Sequence, residues 1–433
     1  MKKLIIDDIL WIISLAKEGG WKMNIRKITY ERILGIVLLV GFLFLTGSGM
    51  VFAAGDKVKI GAAVSLSGML TKEGTGVKKG YDFWADWANA RGGITIGGKK
   101  YNVEMIFYDD ESNPQRSAKL VEKLITEDKV DVVMGPYGSG IAMASTTIAE
   151  RYGYAYILPL CNSDVLFTRG YKNIFGVFPV ASRDAVSFLD LMKNQVPKPE
   201  TIAIISVNST YPLLLSEGAN DYLKQEGGLK VVALEKFPSE TSDLSSLISS
   251  LKTKNPDILL EAGYYEHSVL ITRQMKELKF SPKALFLSVG PQIPDFVKNL
   301  GKDAEYSMAT APWHSKMKFK DPAFTNAEYC EMFNKKYKEN PDLFSAFGTA
   351  GGRLLEQALE KAGSLDQDKI RLALRNIALT DTIVGPIKFD EAGRNALGKI
   401  GVLQIQKGQG EVVNPIGAAT SKVWYPAVPW EKR

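Results

Sequence analysis

The sequence predicts an α/β fold in which two doubly wound parallel sheets form two lobes. From residue 56 onward, short apolar runs of strand length alternate with longer segments of helical period. This alternation is typical of parallel sheets covered by helices on both faces. It occurs in two successive series, and no low-complexity segment or long linker separates them. We therefore expect two lobes that share an extensive hinge.

The first series runs from residue 58 to residue 158. Its first helix, residues 75–91, places Val77, Tyr81 and Trp84 on one face and ends at Gly92-Gly93. Its second helix begins at Asn113-Pro114, because proline suits the first helical position. The other predicted elements of this series are strands at 58–64, 101–108, 130–134 and 155–158 and a helix at 139–152.

The second series runs from residue 183 to residue 289, and a third segment follows it. The predicted helices of the second series are 183–194, 213–225, 244–252 and 267–278, and its strands are 201–207, 231–236, 257–262 and 284–289. Residues 312–340 are irregular and rich in Lys, Phe and Pro, which suits a connection with a surface helix. Residues 349–361 predict a strong helix that turns Ala350 and Leu354 inward.

The N-terminal region, residues 1–54, has the order of an export signal. Basic residues precede an apolar stretch from Ile33 to Leu45, and small residues follow it. We expect cleavage after Ala53 or Ala54, with Val51 upstream favouring Ala53. The alternative is an uncleaved anchor, since Ile33 to Ala54 carries no charge and could just span a bilayer. We expect translation to start at Met23.

Composition excludes several classes of function. The chain of 433 residues has a formal net charge of +6, and no clustered basic face predicts a nucleic-acid partner. Cys161 and Cys330 are far apart and form no CxxC pair, so neither a disulfide framework nor a cysteine zinc site is encoded. His267 and His314 lack paired metal spacing, and the sequence contains no HExxH motif and, after the leader, no GxSxG motif. We expect no metal, no cofactor and no enzymatic activity.

A glycine-rich turn, Gly135 to Gly140, joins a buried strand to a helix. Free backbone N–H groups and the positive end of the helix dipole favour an anion at such a turn, and Ser139 can add its hydroxyl. It is a poor dinucleotide motif, because Met143 stands where a third small residue is needed. An ordinary tight turn with Ser139 as helix cap explains the pattern equally well.

Polar and aromatic residues follow three other predicted strands. Asn162 and Ser163 come after one strand of the first series, and ligands lie outside the carboxyl ends of parallel strands. Helix capping by Ser163 or Asp164 is the competing interpretation. Tyr211 and Tyr264 follow strands of the second series and either wall a cleft or lie on the surface.

Several short motifs in this order resemble the type I periplasmic binding proteins of the leucine/isoleucine/valine-binding branch over residues 57–404. The motifs are Val58-Lys59-Ile60-Gly61, Ser65-Leu66-Ser67-Gly68, Ala90-Arg91-Gly92-Gly93-Ile94, Tyr108 to Pro114, Gly135 to Gly140, Arg169-Gly170-Tyr171 and Val384 to Asp390.

This resemblance implies two Rossmann-like lobes joined by a three-crossover hinge. The implied first lobe comprises residues 55–178 and 312–397, and the second comprises residues 179–311 and 398–433. A small-molecule ligand would bind between the lobes, and hinge closure would bury it. The implied protein is a periplasmic monomer that delivers its ligand to the permease subunits of an ABC transporter.

The resemblance also implies the binding residues. The clamp for a ligand carboxylate falls on Ser139 and Asn162. Further lining positions fall on Tyr137, Gly138, Leu160, Cys161, Tyr211, Tyr264 and Phe347.

One position departs from the family. Gly290 stands where amino-acid binders carry an acidic residue for the ligand ammonium, and an unpaired buried ammonium is costly. Either Glu73, Glu261 or Glu266 replaces that acid, or the ligand is an aromatic or aliphatic acid. The predicted function is capture of a small carboxylate-bearing metabolite for import, and the alternative is a sensory module that presents the ligand to a membrane receptor.

Overall fold

The computed structural model describes residues 56–433, so the predicted leader lies outside the described residues. Its first sheet has six strands in the order β2-β3-β1-β4-β5-β6. The central strand β1 pairs in parallel with β3 and β4, whereas β2 forms an antiparallel hairpin with β3. The strands are β1 Lys57–Val64, β2 Ile94–Ile96, β3 Lys99–Asp109, β4 Val132–Met134, β5 Tyr156–Leu158 and β6 Ile174–Gly176.

Three helices follow strands of this sheet: α1 Thr71–Ala90, α2 Pro114–Thr126 and α3 Ser139–Tyr152. The predicted start of α2 is confirmed, since the Asn113 side chain accepts a hydrogen bond from the Arg116 N–H at 2.9 Å. Helix α1 begins at Thr71, earlier than predicted. Its first turn contains Gly74, a poor helix former, which is needed there because a Cβ would lie 2.1 Å from the Ser65 carbonyl oxygen.

The second sheet has seven strands in the order β17-β16-β11-β10-β9-β7-β8. Strands β7 to β11 run parallel, and β16 and β17 add an antiparallel edge. The strands are β7 Thr201–Val207, β8 Lys230–Phe237, β9 Ile258–Ala262, β10 Ala284–Leu287, β11 Ser307–Ala311, β16 Gly401–Gln406 and β17 Gln409–Asn414.

Five helices belong to this second lobe; four correspond to predicted helices with shifted ends, and the short fifth helix was not predicted. They are α4 Val186–Lys193, α5 Thr210–Glu226, α6 Ser245–Lys254, α7 Tyr265–Glu277 and α8 Pro294–Leu300. A short 3-10 turn, Ala181–Arg183, replaces the start predicted for α4. The second lobe is therefore an α/β unit like the first, and the predicted pair of α/β lobes is confirmed.

After β11 the chain returns to the first lobe before it rejoins the second sheet at β16. The returning segment contains the small hairpins β12 Lys320–Asp321 with β13 Phe324–Thr325 and β14 Ala378–Leu379 with β15 Ile387–Lys388, and the helices α9 Asn326–Tyr337, α10 Leu343–Ala362 and α11 Gln367–Arg375. Helix α10 packs against α1, and the Trp84 indole donates to Glu356 at 3.1 Å. The chain thus passes between the lobes three times, as the resemblance implied.

Helix α10 starts six residues before the predicted position, at Leu343. Asp342 caps it by accepting from the Ser345 N–H at 2.8 Å. Between residues 56 and 433, none of the helices has the length and hydrophobicity that a membrane crossing requires.

Candidate functional site

A narrow cavity of about 30 Å³ lies where the carboxyl ends of both sheets meet. Residues of both lobes line it, together with the start of α10. The lining consists of Tyr137, Gly138, Ser139, Leu160, Asn162, Phe178, Asp184, Tyr211, Tyr264, Ser288, Val289, Gln292, Thr310, Leu343 and Phe344. The structure therefore brings the predicted glycine-rich turn, the Asn162 loop and the two predicted tyrosines together.

The glycine-rich turn delivers Ser139 to the cavity as the first residue of α3. Gly138 has a φ of +89°, a conformation that favours glycine, and a Cβ there would lie 2.8 Å from a Leu70 methyl group. The Tyr81 hydroxyl holds the turn by donating to the Gly135 carbonyl at 2.8 Å. The Ser139 hydroxyl accepts from the Ser163 N–H at 3.2 Å, and its own hydrogen remains available to a ligand.

Three of the predicted site residues do not line the cavity. Cys161 is fully buried behind the wall, where its thiol donates to the Pro136 carbonyl at 3.1 Å and burial raises its pKa. Phe347 lies one helical turn beyond Phe344, and its ring packs on Phe178 with centroids 5.0 Å apart. Gly290 is turned away from the cavity, because its missing Cβ points at Ser268 and Phe296.

Asn162 lines the cavity, but its amide is already occupied. Its Nδ2 donates to the Pro179 carbonyl at 2.7 Å and lies 3.3 and 3.4 Å from the two carboxylate oxygens of Asp184. The predicted clamp of Ser139 and Asn162 therefore has one free donor, the serine hydroxyl, in this arrangement.

Asp184 is the most consequential lining residue that sequence reasoning missed. Its side chain is buried and also accepts from the Tyr211 hydroxyl at 3.1 Å. Burial raises the pKa of its carboxyl well above the usual range, although hydrogen bonds from Asn162 and Tyr211 act in the opposite direction. From the sequence, Asp184 is expected at the solvent-exposed start of a helix, so no local pattern indicates that it is buried in a cavity wall.

Aromatic rings form the apolar part of the wall. Tyr137 makes edge contacts with Phe344 of α10 and with Tyr264 of the second lobe, at centroid distances of 5.3 and 6.5 Å. Tyr264 also packs beside Tyr211 at 6.2 Å, and its hydroxyl lies 3.1 Å from that of Ser209. The cavity can therefore receive a small apolar or aromatic ligand body.

Gln292, which was not predicted from the sequence, forms a polar part of the cavity wall. Its Nε2 donates to the Ser288 carbonyl at 2.9 Å and to the Thr310 hydroxyl at 3.1 Å, while its Oε1 accepts from the Gly290 N–H. These bonds fix the side chain. The other lining residues that the sequence did not indicate are Phe178, Ser288, Val289, Thr310, Leu343 and Phe344.

The lobes also touch beside the cavity. Glu73, in the first turn of α1, is fully buried and accepts from the Tyr265 N–H of α7 at 3.3 Å. Burial raises its pKa to about 7. Next to it, Lys72 pairs with Asp295 of α8 across the cleft.

Three glutamates were predicted as alternatives to the acidic residue that Gly290 lacks, and none of them lines the cavity. Glu73, Glu261 and Glu266 are all outside the wall, and Glu266 is exposed. Within residues 56–433, no group of three or more His, Cys, Asp and Glu side chains is arranged to hold a metal ion.

Comparison with known proteins shows matches along nearly the whole described chain. A family model described as "Periplasmic binding protein" matches residues 57–410. Leu/Ile/Val-binding protein homolog 7 of Brucella abortus (strain 2308) is 27% identical over 388 residues, which cover 86% of this chain and 95% of the relative. Homolog 8 of the same strain is 28% identical over 425 residues, covering 93% and 99%.

Solved structures match at the level of the fold. A leucine-binding protein of Thermotoga maritima MSB8 superposes with a TM-score of 0.73 at 23% identity, covering 82% of this chain and 97% of its own. A solute-binding protein of an ABC transporter from R. palustris, in complex with benzoate, superposes with a TM-score of 0.72 at 19% identity, covering 84% and 98%.

Proposed function

The chain belongs to the periplasmic binding protein family, and we propose that it is the extracytoplasmic solute-binding protein of an ABC uptake transporter, holding a small carboxylate-bearing metabolite between its lobes. The family consists of solute-binding proteins of transporters rather than enzymes. The relatives that it resembles include a leucine binder and a benzoate binder. A carboxylate beside an apolar body is the chemistry that those two ligands share.

The observation that carries this proposal is the composition of the cavity wall. On the first lobe, Ser139 presents a free hydroxyl hydrogen at the N-terminus of α3, where the helix dipole favours a negative group. On the opposite side, Tyr211 and Tyr264 of the second lobe offer apolar faces. A ligand carboxylate would lie against Ser139, and the ligand body would lie among the rings.

The cavity is narrower than a bound metabolite needs, so the lobes have to part to admit a ligand. Pockets for small molecules usually measure about 300–1,000 Å³, whereas this cavity measures about 30 Å³. A metabolite therefore enters while the lobes are apart, and it favours the closed form by contacting both walls at once. The closed form would then dock on a membrane permease, with the protein acting as a periplasmic monomer.

We predict that Ser139→Ala weakens binding of the carboxylate ligand at least tenfold, which corresponds to about 1.4 kcal/mol. The reason is the loss of the free hydroxyl donor at the N-terminus of α3. The ligand is first identified by mass spectrometry of the molecules that co-purify with the protein, and a thermal-shift screen of amino acids and organic acids supplements it. Isothermal titration calorimetry then compares the affinities.

Ser145→Ala is the matched control. Ser145 lies on the same helix, is buried, and donates only to the Ile141 carbonyl of its own helix at 3.4 Å. It should keep full affinity. Unchanged affinity in the Ser139 variant would remove Ser139 from the site, and failure of every small carboxylate to bind would refute the proposed function.

A further inference from the structure

Asp184 is the one acidic or basic side chain of the cavity wall. The fourteen other lining residues include no Lys, Arg or His and no second carboxylate. Two more buried carboxylates, Glu73 and Glu261, lie outside the wall, and one oxygen of each has no hydrogen-bond partner. The cavity wall therefore carries one acidic group and no basic side chain that could pair with a ligand carboxylate.

Asp184 belongs to the second lobe but forms hydrogen bonds with both lobes. It lies at the start of the second lobe, directly after the first crossing of the chain between the lobes. Its Oδ2 receives the Tyr211 hydroxyl of the second lobe at 3.1 Å and the Asn162 amide of the first lobe at 3.3 Å. Its Oδ1 has only a long contact of 3.4 Å with Asn162, so this oxygen can accept a further, shorter hydrogen bond.

A ligand that carried only a carboxylate would share this small space with the carboxyl group of Asp184. Two carboxylates that share a desolvated site cannot both stay ionised without a positive group between them. A ligand with an ammonium group beside its carboxylate would meet this requirement, since the ammonium would pair with Asp184 while the carboxylate lies against Ser139.

We propose that Asp184 is the specificity-determining residue of the cavity and receives a positively charged nitrogen of the ligand. This inference rests on the proposed function and narrows its ligand class to compounds that carry an amino group beside the carboxylate. Asp184 would thus be the acidic partner of the ligand nitrogen that Gly290 cannot provide. It lies on the hinge side of the cleft, whereas Gly290 lies in the loop after β10.

The protonation of Asp184 offers a second readout. Burial favours the neutral carboxyl, and Tyr211 and Asp164 are the other titratable groups that act on it. When an ammonium group arrives, the charged form becomes favourable and the pKa of Asp184 falls, so binding should release protons at pH values between the pKa of the free protein and that of the complex. An amine-free acid would not lower the pKa of Asp184 and should release none.

The experiment compares amino acids with their amine-free analogues on the wild-type protein. Isothermal titration calorimetry is run with each protein amino acid and with the analogue of each one that binds, such as leucine with 4-methylpentanoate and phenylalanine with 3-phenylpropanoate. We expect at least a hundredfold weaker binding of the analogue. Titrations in buffers of different ionisation enthalpy, repeated over a series of pH values, should show the release of protons by the amino acid only.

Asp184→Asn should reduce this preference to tenfold or less, because the amide keeps the shape of the side chain but removes its charge. Asp110→Asn is the matched control. Asp110 is also buried at the carboxyl end of a strand, where it accepts from the Ser65 hydroxyl at 2.7 Å, but it lies outside the cavity. It should retain the full preference.

The experiment distinguishes failure of the role proposed for Asp184 from failure of the proposed function. Equal or tighter binding of the amine-free acids, or an Asp184→Asn protein that keeps the hundredfold preference, would overturn the role of Asp184 and leave the proposed function standing. Absence of binding by both classes would refute the proposed function itself. Because the first comparison and the proton count use the wild-type protein, the test stands even if the variant does not fold.

Discussion

Two buried glutamates, Glu73 and Glu261, tie the stability of the protein to pH. Burial raises the pKa of Glu73 to about 7 and that of Glu261 to about 8, and Glu261 keeps one hydrogen-bonded oxygen, at 3.0 Å from the Ser268 hydroxyl. Both values exceed the ordinary value of 4.5, so the folded protein binds these protons more tightly than the unfolded chain does. The resulting stabilisation is complete below pH 4.5 and is lost as the pH rises through 7 and 8.

We predict that Glu261→Gln flattens this dependence. In the wild-type protein each of the two groups should lower the free energy of unfolding by up to roughly 1.4 kcal/mol per pH unit between pH 5 and its own pKa. The glutamine cannot ionise, so the variant should lose less stability over this interval. Urea unfolding at pH 5, 6, 7 and 8 measures the slopes, and Glu226→Gln, at an exposed position, should follow the wild type. Parallel slopes for wild type and Glu261→Gln would contradict this account.

The sequence could predict those site residues whose position depends on local order. Ser139, Tyr211 and Tyr264 each come just after a strand, and parallel strands bring such residues to one edge. Asp184 could not be found in this way, because its burial depends on the first crossing meeting both Asn162 and Tyr211. The family resemblance implied Phe347, but Phe344, one turn earlier on α10, lines the cavity, because a match of short motifs does not fix which turn of a helix reaches the site.

The pair of helices α1 and α10 shows how one lobe is held together by elements distant in the chain. Their backbones touch at glycines, because a Cβ at Gly80 would lie 2.3 Å from the Ser345 oxygen and one at Gly348 would lie 2.6 Å from the Val77 oxygen. The Thr349 hydroxyl donates across the contact to the Gly80 carbonyl at 3.2 Å. Larger residues at either glycine would push the helices apart.

We expect Gly80→Ala to lower the free energy of unfolding by about 1–3 kcal/mol. The added methyl group clashes with backbone atoms that cannot move aside, which outweighs the gain in helix propensity of about 1 kcal/mol. Urea unfolding measures the change. Gly417→Ala is the control, because no atom lies within 4 Å of its Cβ position, and a Gly80 variant as stable as that control would refute the packing argument.

The packing of α1 against α10 also explains why the apolar face of α1 could be predicted from the sequence and its first residue could not. The apolar stripe of Val77, Tyr81 and Trp84 is buried as expected. The true start of α1 was hidden because Gly74 and Gly76 are poor helix formers. They are needed there for close packing, which depends on a partner that the local sequence does not show.

In the protein as a whole, contacts across the cleft hold the two lobes closed. Lys72 pairs with Asp295, and Glu73 accepts from the N-terminus of α7. Both contacts join the start of α1 to helices of the second lobe, beside the cavity. The balance between open and closed forms should therefore respond to charge at this edge.

We predict that Asp295→Lys shifts the balance toward the open form. Two lysines would then face each other, and exposed pairs of this kind change free energies by about 1 kcal/mol or less, so the affinity for the ligand should fall about twofold to fivefold. Small-angle X-ray scattering should show a larger radius of gyration, and added salt should reduce the effect. Asp221→Lys is the control, since Asp221 pairs with Lys224 of its own helix at 3.1 Å. Equal radii and affinities in both variants would argue against a closing role for this pair.

The return of the chain to the first lobe has a consequence for the order in which the protein can be assembled. The bond between Trp84 and Glu356 joins residues 272 positions apart, so the face of α1 that α10 covers stays bare until most of the polypeptide has left the ribosome. Such distant pairings slow folding and expose apolar surface to aggregation. Slow folding keeps the nascent chain unfolded for longer, which would suit export to the periplasmic location that we propose.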